Sequence, residues 1–348
     1  LRNELNKPCE GPLERGLPQS RAFGPFCQRI FFLKTLWNML PGTVDVRVKV
    51  FAWASLVSQI LIIGTGGAVR LTGSGLGCPT WPRCTEDSFV TTPEMGFHGI
   101  IEFGNRLLTF ILAIIAVGLF VLVLRLRKER PELFRLSIVL GLGIPGQAVI
   151  GGITVLTNLN PWIVGLHYVL SLVLVALAAV LLYRVRTGRK VGSWAARSPV
   201  RVLGLGLVST LGVSLAVGVI TTGSGPHSGD GGSARNGLDS WLLQHFHAWP
   251  SYVVLGLLVT LAVVSRLPGV APARYQRAIT GALGVALVQV GIGLYQANNG
   301  LPELAVGIHM VLAAVLLALV TTSLLSQRGV TRVEADQSRP RQTAMSSR

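Results

Sequence analysis

Acidic residues are scarce in this chain: 15 Asp and Glu stand against 31 Lys and Arg in 348 residues. Charged residues of both signs make up only 13%, too few to coat a soluble domain of this size. Methionine is rarer still, with four in the whole chain, so no thioether-rich copper site can be assembled. No carboxylate set accompanies the histidines either, which also counts against copper. What is abundant is apolar sequence: half of all residues are hydrophobic and the mean hydropathy is +0.56.

That apolar sequence falls into stretches of about 20 residues, each long enough to cross a bilayer as a helix. Eight are predicted, at 49–69, 98–124, 134–156, 162–183, 200–221, 241–265, 275–297 and 303–325. Pro145 is the one strong break expected inside them. The fold class expected is all-α, a polytopic membrane protein. The net charge of +16 is orientation charge rather than a nucleic-acid surface, because the basic residues gather in alternate loops. One side carries Arg47, Lys49, RLRKER (125–130), RVRTGRK (184–190), Arg266, Arg274 and Arg277. The other carries GSGLGCPTWPRCTEDSF (73–89), TNLN (157–160), the Ser/Gly/Asp loop 222–240 and NNGLPE. The positive-inside rule then places both termini in the cytoplasm, with the chain in the plasma membrane.

The chain repeats itself. Gln147 precedes His167 by 20 residues and Gln289 precedes His309 by 20, and Gly151 and Gly165 align with Gly293 and Gly307. TGSG follows the first predicted helix (72–75) and the fifth (222–225). Four helices per half is an even number, so the halves enter the membrane in the same direction and a pseudo-two-fold axis runs along the membrane normal. The expected organisation is an N-terminal extension (1–45), a first four-helix half (46–190), a second (191–327) and a disordered tail (328–348). The stretch 26–40 suits an amphipathic segment on the membrane surface. Cys9 and Cys27 are expected as free thiols.

Five of the six histidines lie at one depth in even-numbered helices: His98, His167, His245, His247 and His309. His227, in a loop, is expected to be solvated. A titratable ring in a membrane helix costs a few kcal/mol unless it has a partner, and imidazoles on facing helices of a four-helix bundle can grip a heme iron from both sides. In the second half the pair is His309 with His247 or His245; these two lie two residues apart and point to different faces. In the first half Asn105 stands where the second has its sixth-helix histidine. Glu102 and His98 continue the same stripe at one-turn intervals. Glu102 is a functional candidate, with an ion pair to Arg106 or Arg70 as its structural alternative. Cys78 and Cys84, in CPTWPRC, suit a disulfide, either as a redox pair or as a staple over the first half.

GGAVRLTGSGLGCPTWPRC, IEFGNR, GLH, QHFHA and GIH together resemble the heme A synthase family of bacteria and mitochondria, over roughly residues 45–325. The resemblance implies oxidation of the ring D methyl group of heme O to a formyl group. It implies heme b held by His247 and His309, substrate heme O near His167, Glu102 as the functional acid and Cys78–Cys84 as the loop pair. The family's Glu-x-x-His is Glu102-Phe-Gly-Asn105 here, which leaves His98 as a substitute ligand. Membrane lipid, heme O synthase and an electron acceptor are the implied partners. The rivals are a bis-histidine cytochrome that only moves electrons and a repeat-built small-solute transporter.

Overall fold

The computed structural model describes residues 34–35, 37–188 and 191–330. Cys9, Cys27, most of the segment 26–40 and the chain after 330 lie outside the described residues. Eight helices are long and apolar enough to cross a membrane: α1 (Val46–Leu71), α2 (Gly96–Leu124), α3 (Pro131–Leu156), α4 (Pro161–Thr187), α5 (Ser198–Ser224), α6 (Ser240–Val264), α7 (Ala273–Asn298) and α8 (Glu303–Ser326). The protein is therefore an all-α multi-pass membrane protein.

Local chemistry sets the helix starts. Asp45 caps α1 by accepting from the Val48 N–H at 3.1 Å, and Asp239 caps α6 through the Leu242 N–H at 2.9 Å. Asn160 accepts from the Trp162 N–H across Pro161, the first residue of α4, where proline's missing donor costs nothing. Two expectations are corrected inside the helices. Pro250 lies within α6 just as Pro145 lies within α3, and both helices run on past their prolines. The second TGSG copy does not form a loop: Thr222, Gly223 and Ser224 are the last turn of α5, whereas α1 stops at Leu71 before the first copy.

In the first half α1 packs on α2 and α4, and α3 on α2 and α4; in the second, α5 packs on α6 and α8, and α7 on α6 and α8. Between halves α4 lies against α8, flanked by α1 on α8 and α4 on α5. A two-fold axis between α4 and α8 generates this pattern. Two tyrosines of α4 tie the seam: Tyr168 Oη donates to the Met310 carbonyl (3.5 Å) and Tyr183 Oη to that of Leu325 (3.1 Å).

Burial is uneven along the helices. The two main clusters of buried side chains lie toward the basic face, for example Leu119, Val123, Leu133 and Val185 in the first half and Val200, Leu261, Tyr275 and Val320 in the second. Toward the opposite face the second half opens: no residue of α6 before Val254 is buried, and none of α7 after Ala286.

Two short strands close the basic face. β1 (Val191–Trp194) pairs antiparallel with β2 (Arg328–Val330). The guanidinium groups of Arg201 and Arg328 stand over the Trp194 ring at 5.0 and 4.4 Å. The first residues assigned to a disordered tail are thus paired, because the ribbon satisfies their backbone.

Candidate functional site

His247 on α6 and His309 on α8 face each other, with ring centres 6.2 Å apart and planes at 74°. His247 Nδ1–H donates to the Ser214 carbonyl of α5 at 3.0 Å, which fixes the tautomer and leaves Nε2 as a free donor atom. Ser251 locks this corner: its hydroxyl bonds both the His247 carbonyl and Ser214 Oγ, each at 2.8 Å. Behind each ring lies a glycine. A Cβ on Gly218 would come within 2.8 Å of His247 Cε1, and one on Gly293 within 3.4 Å of His309 Cε1. Gln289 Nε2 donates to the His309 carbonyl at 3.0 Å, while His309 Nδ1 is buried without a hydrogen-bond partner.

These residues fit a six-coordinate heme iron. An imidazole nitrogen bonds a first-row metal at about 2 Å, and the ring centre lies roughly 1 Å further back. Two trans imidazoles therefore need ring centres roughly 6 Å apart, close to the spacing found. At this level α6 and α7 carry no buried side chain, so their apolar faces are not filled by neighbouring helices. His245 does not join them. Its Nδ1–H donates to the Trp241 carbonyl at 2.8 Å and its ring packs on the Trp241 indole, centres 4.1 Å apart, on an exposed face of α6.

The first half repeats half of this arrangement. Gln147 Nε2 donates to the His167 carbonyl at 3.1 Å, Gly151 lies behind the His167 ring (3.3 Å to Cε1), and His167 Nδ1 is buried and unpartnered. The equivalence extends to α2: 247 follows 105 by 142, as 309 follows 167 and 289 follows 147. Asn105 therefore occupies the place of His247, and its Oδ1 accepts from Thr65 Oγ1 of α1 at 2.8 Å. One imidazole is available at this level, not two.

The stripe His98–Glu102–Asn105 faces α1 and the loop that follows it. His98 is exposed, and its Nδ1 shares a hydrogen bond with Ser74 Oγ at 2.8 Å, in the TGSG loop. Glu102, the one buried carboxylate among the described residues (6% exposed), takes the expected partner Arg106. Arg106 Nη2 and Nε donate to Glu102 Oε1 at 2.6 and 3.0 Å, and the Cys78 N–H donates to Oε2. Arg70 is engaged elsewhere: it donates to the carbonyls of His227 (2.7 Å) and Thr222 (2.9 Å), fastening the second half to the end of α1. His227 is half-buried rather than solvated, because its Nε2–H donates to the Leu301 carbonyl at 2.8 Å.

Cys78 and Cys84 form a disulfide, and both residues are fully buried. Exchange needs a thiolate to reach a disulfide sulfur, and in this conformation neither sulfur is open to attack. We expect thiol labelling after mild reductant to be low in the folded protein and complete in denaturant; equal labelling in both would show an accessible, exchange-competent pair.

Sequence reasoning did not single out Ser214, Gly218, Thr65 or Trp81. Each acts through a contact between elements that helical periodicity does not encode. The constant offset of 142 could have chosen His247 over His245 as the partner of Asn105's position.

Residues 49–321 match the family model described as cytochrome oxidase assembly protein (COX15-CtaA). The chain is 28% identical over 170 residues to the heme A synthase of Geobacillus thermodenitrificans, covering 49% of this chain and 53% of that protein. It is 36% identical over 138 residues to the heme A synthase of Lysinibacillus sphaericus (strain C3-41), covering 39% and 43%. With the heme A synthase of Geobacillus kaustophilus (strain HTA426) it shares 24% identity over 161 residues, covering 46% and 50%. The chain spans about half the length of the curated relatives it matches.

Proposed function

This chain belongs to the cytochrome oxidase assembly protein family, and on that footing we propose that it is a heme A synthase, which oxidises the ring D methyl group of heme O to the formyl group of heme A. The observation that carries the reading is the asymmetry of the repeat. One half pairs two imidazoles across 6.2 Å, and the other sets a single imidazole opposite the Asn105 position with an acid one turn away. The His247–His309 pair would hold a resident heme b, which would supply electron transfer. One ligand suits a substrate that must arrive and leave.

His247 and His309 hold the resident group, oriented by Ser214, Gly218 and Gly293. Heme b, when bound, supplies one-electron transfer. His167 orients heme O in the first half, against Gly151. With the electrons passed to an acceptor, methyl plus water gives formyl plus four electrons and four protons, and Glu102 is the proton acceptor, its oxygens aimed by Arg106 and the Cys78 N–H. The disulfide loop excludes water from the reacting edge. His98 and His245 take no ligand role in this reading. The basic face is cytoplasmic, as are both termini, and the protein resides in the plasma membrane. Heme O synthase supplies the substrate, and a membrane or external acceptor removes electrons.

The test is extraction and chromatography of hemes from membranes with and without the chain. Heme A should appear, and heme O decline, only when it is present. Heme b alone would mark an electron-transfer cytochrome, and a colourless purified protein a transporter; either result rejects the proposal.

A further inference from the structure

One more side chain packs on a helix of the first half, and it comes from the loop rather than from another helix. Trp81 lies between the two bridged cysteines, and its half-buried indole packs against Gly152 of α3 so closely that a Cβ there would overlap the ring. Gly152 sits four residues before the end of α3 at Leu156, so the indole reaches roughly 6 Å, about one turn, down the helix. The preceding residue, Gly151, backs the His167 ring. Trp81 and His167 therefore pack on consecutive glycines of one helix.

The repeat shows that this room is particular to the first half. Gly151 corresponds to Gly293, which also backs a histidine, but Gly152 corresponds to Leu294. No tryptophan occurs in the second half's loop 225–239. Small residue and inserted indole occur together in one half and are both missing from the other.

The loop is also built to hold this ring in place. The disulfide closes the segment on both sides of Trp81. Arg106 donates to the carbonyls of Cys78, Thr80 and Arg83, each at 3.1 Å, and Glu102 receives the Cys78 N–H. A loop fixed at four points around one tryptophan is preorganised to present that side chain.

We infer that Trp81 is a substrate-contact residue of the first half: its indole forms one wall of the pocket and stacks on the flat macrocycle oriented by His167. Aromatic rings stack favourably beyond the area they bury. The inference rests on the reading of the first half as the substrate site.

The probe is hemin, added to purified protein that already carries its resident heme, and the readout is the dissociation constant and Soret position of the second equivalent. Trp81→Ala should weaken that binding by about tenfold and shift its Soret band. Trp81→Phe should stay within about threefold of the unsubstituted protein. Gly152→Leu, which installs the second half's residue and expels the indole from the helix side, should mimic Trp81→Ala. The resident heme spectrum should be unchanged in all three, which reports that the bundle is intact. Wild-type affinity in Trp81→Ala, or equal losses in Trp81→Ala and Trp81→Phe, would overturn the inference. His167→Ala separates it from the functional reading: if that change leaves hemin binding intact while Trp81→Ala weakens it, the role of His167 falls and the Trp81 contact stands. If the unsubstituted protein binds no second equivalent, both fall.

Discussion

Replacing His309 with alanine is expected to abolish the low-spin, bis-imidazole spectrum of the resident heme and to lower the heme content of the purified protein to near zero. His245, the other histidine of α6, is turned away onto Trp241 and does not replace it. The opposite ring, His247, is held by Ser214 and Gly218 and cannot supply both bonds. His247→Ala should give the same loss, and the double variant should be no worse than either single one, because the two ligands act as a unit. His245→Ala is the internal control. Its ring packs on Trp241 and should leave the spectrum untouched. Reduced-minus-oxidised spectra and heme-to-protein ratios measure all four. A full bis-imidazole signal in His309→Ala would remove the pair from iron ligation, whereas loss in His245→Ala would point to the wrong face of α6.

Glu102→Gln is expected to lower heme A output by at least about a hundredfold while keeping the resident heme, a factor typical of a lost proton-transfer group. Glu102→Ala should do the same and one thing more. Glu102 holds the loop through the Cys78 N–H and holds Arg106, which in turn binds three loop carbonyls. Glutamine retains a carbonyl oxygen for one of these bonds; alanine retains none and leaves a part-buried guanidinium without its anion, a costly arrangement. The disulfide should therefore become reducible under mild conditions in the alanine variant and stay protected in the glutamine variant. Heme chromatography and thiol labelling on the same membranes read both effects. If Glu102→Gln makes normal heme A, the carboxylate's contribution is confined to holding the loop.

The membrane architecture was legible in the sequence because apolar length and basic loops are one-dimensional signals. The eight predicted spans differ from the helices by no more than a turn or so, the largest extension being α4, which continues to Thr187 through its basic end. The pairing of Gln147 with His167 and of Gln289 with His309 was also legible, and its physical basis is now plain: each amide reaches across to the histidine's own carbonyl. Other features depend on which surfaces meet. His245 and His247 are two apart; the repeat offset favours His247, and the position of α8 shows why, since His309 faces His247 while His245 packs on Trp241. The two TGSG copies are identical in letters yet one is loop and one is helix. Ser74 bonds His98 from the loop, whereas Ser224 bonds the Thr221 carbonyl inside the last turn of α5. Trp81 carries no periodic signal at all, and its place at Gly152 becomes visible only in three dimensions.

The buried side chains concentrate toward the basic face, and the histidines stand beyond them toward the other. In the proposed reading, mechanical support and prosthetic cargo therefore occupy different depths of the same bundles. On that reading, such a scaffold is expected to keep its helix packing at the basic face when the pigment is removed, because none of that packing uses the histidines.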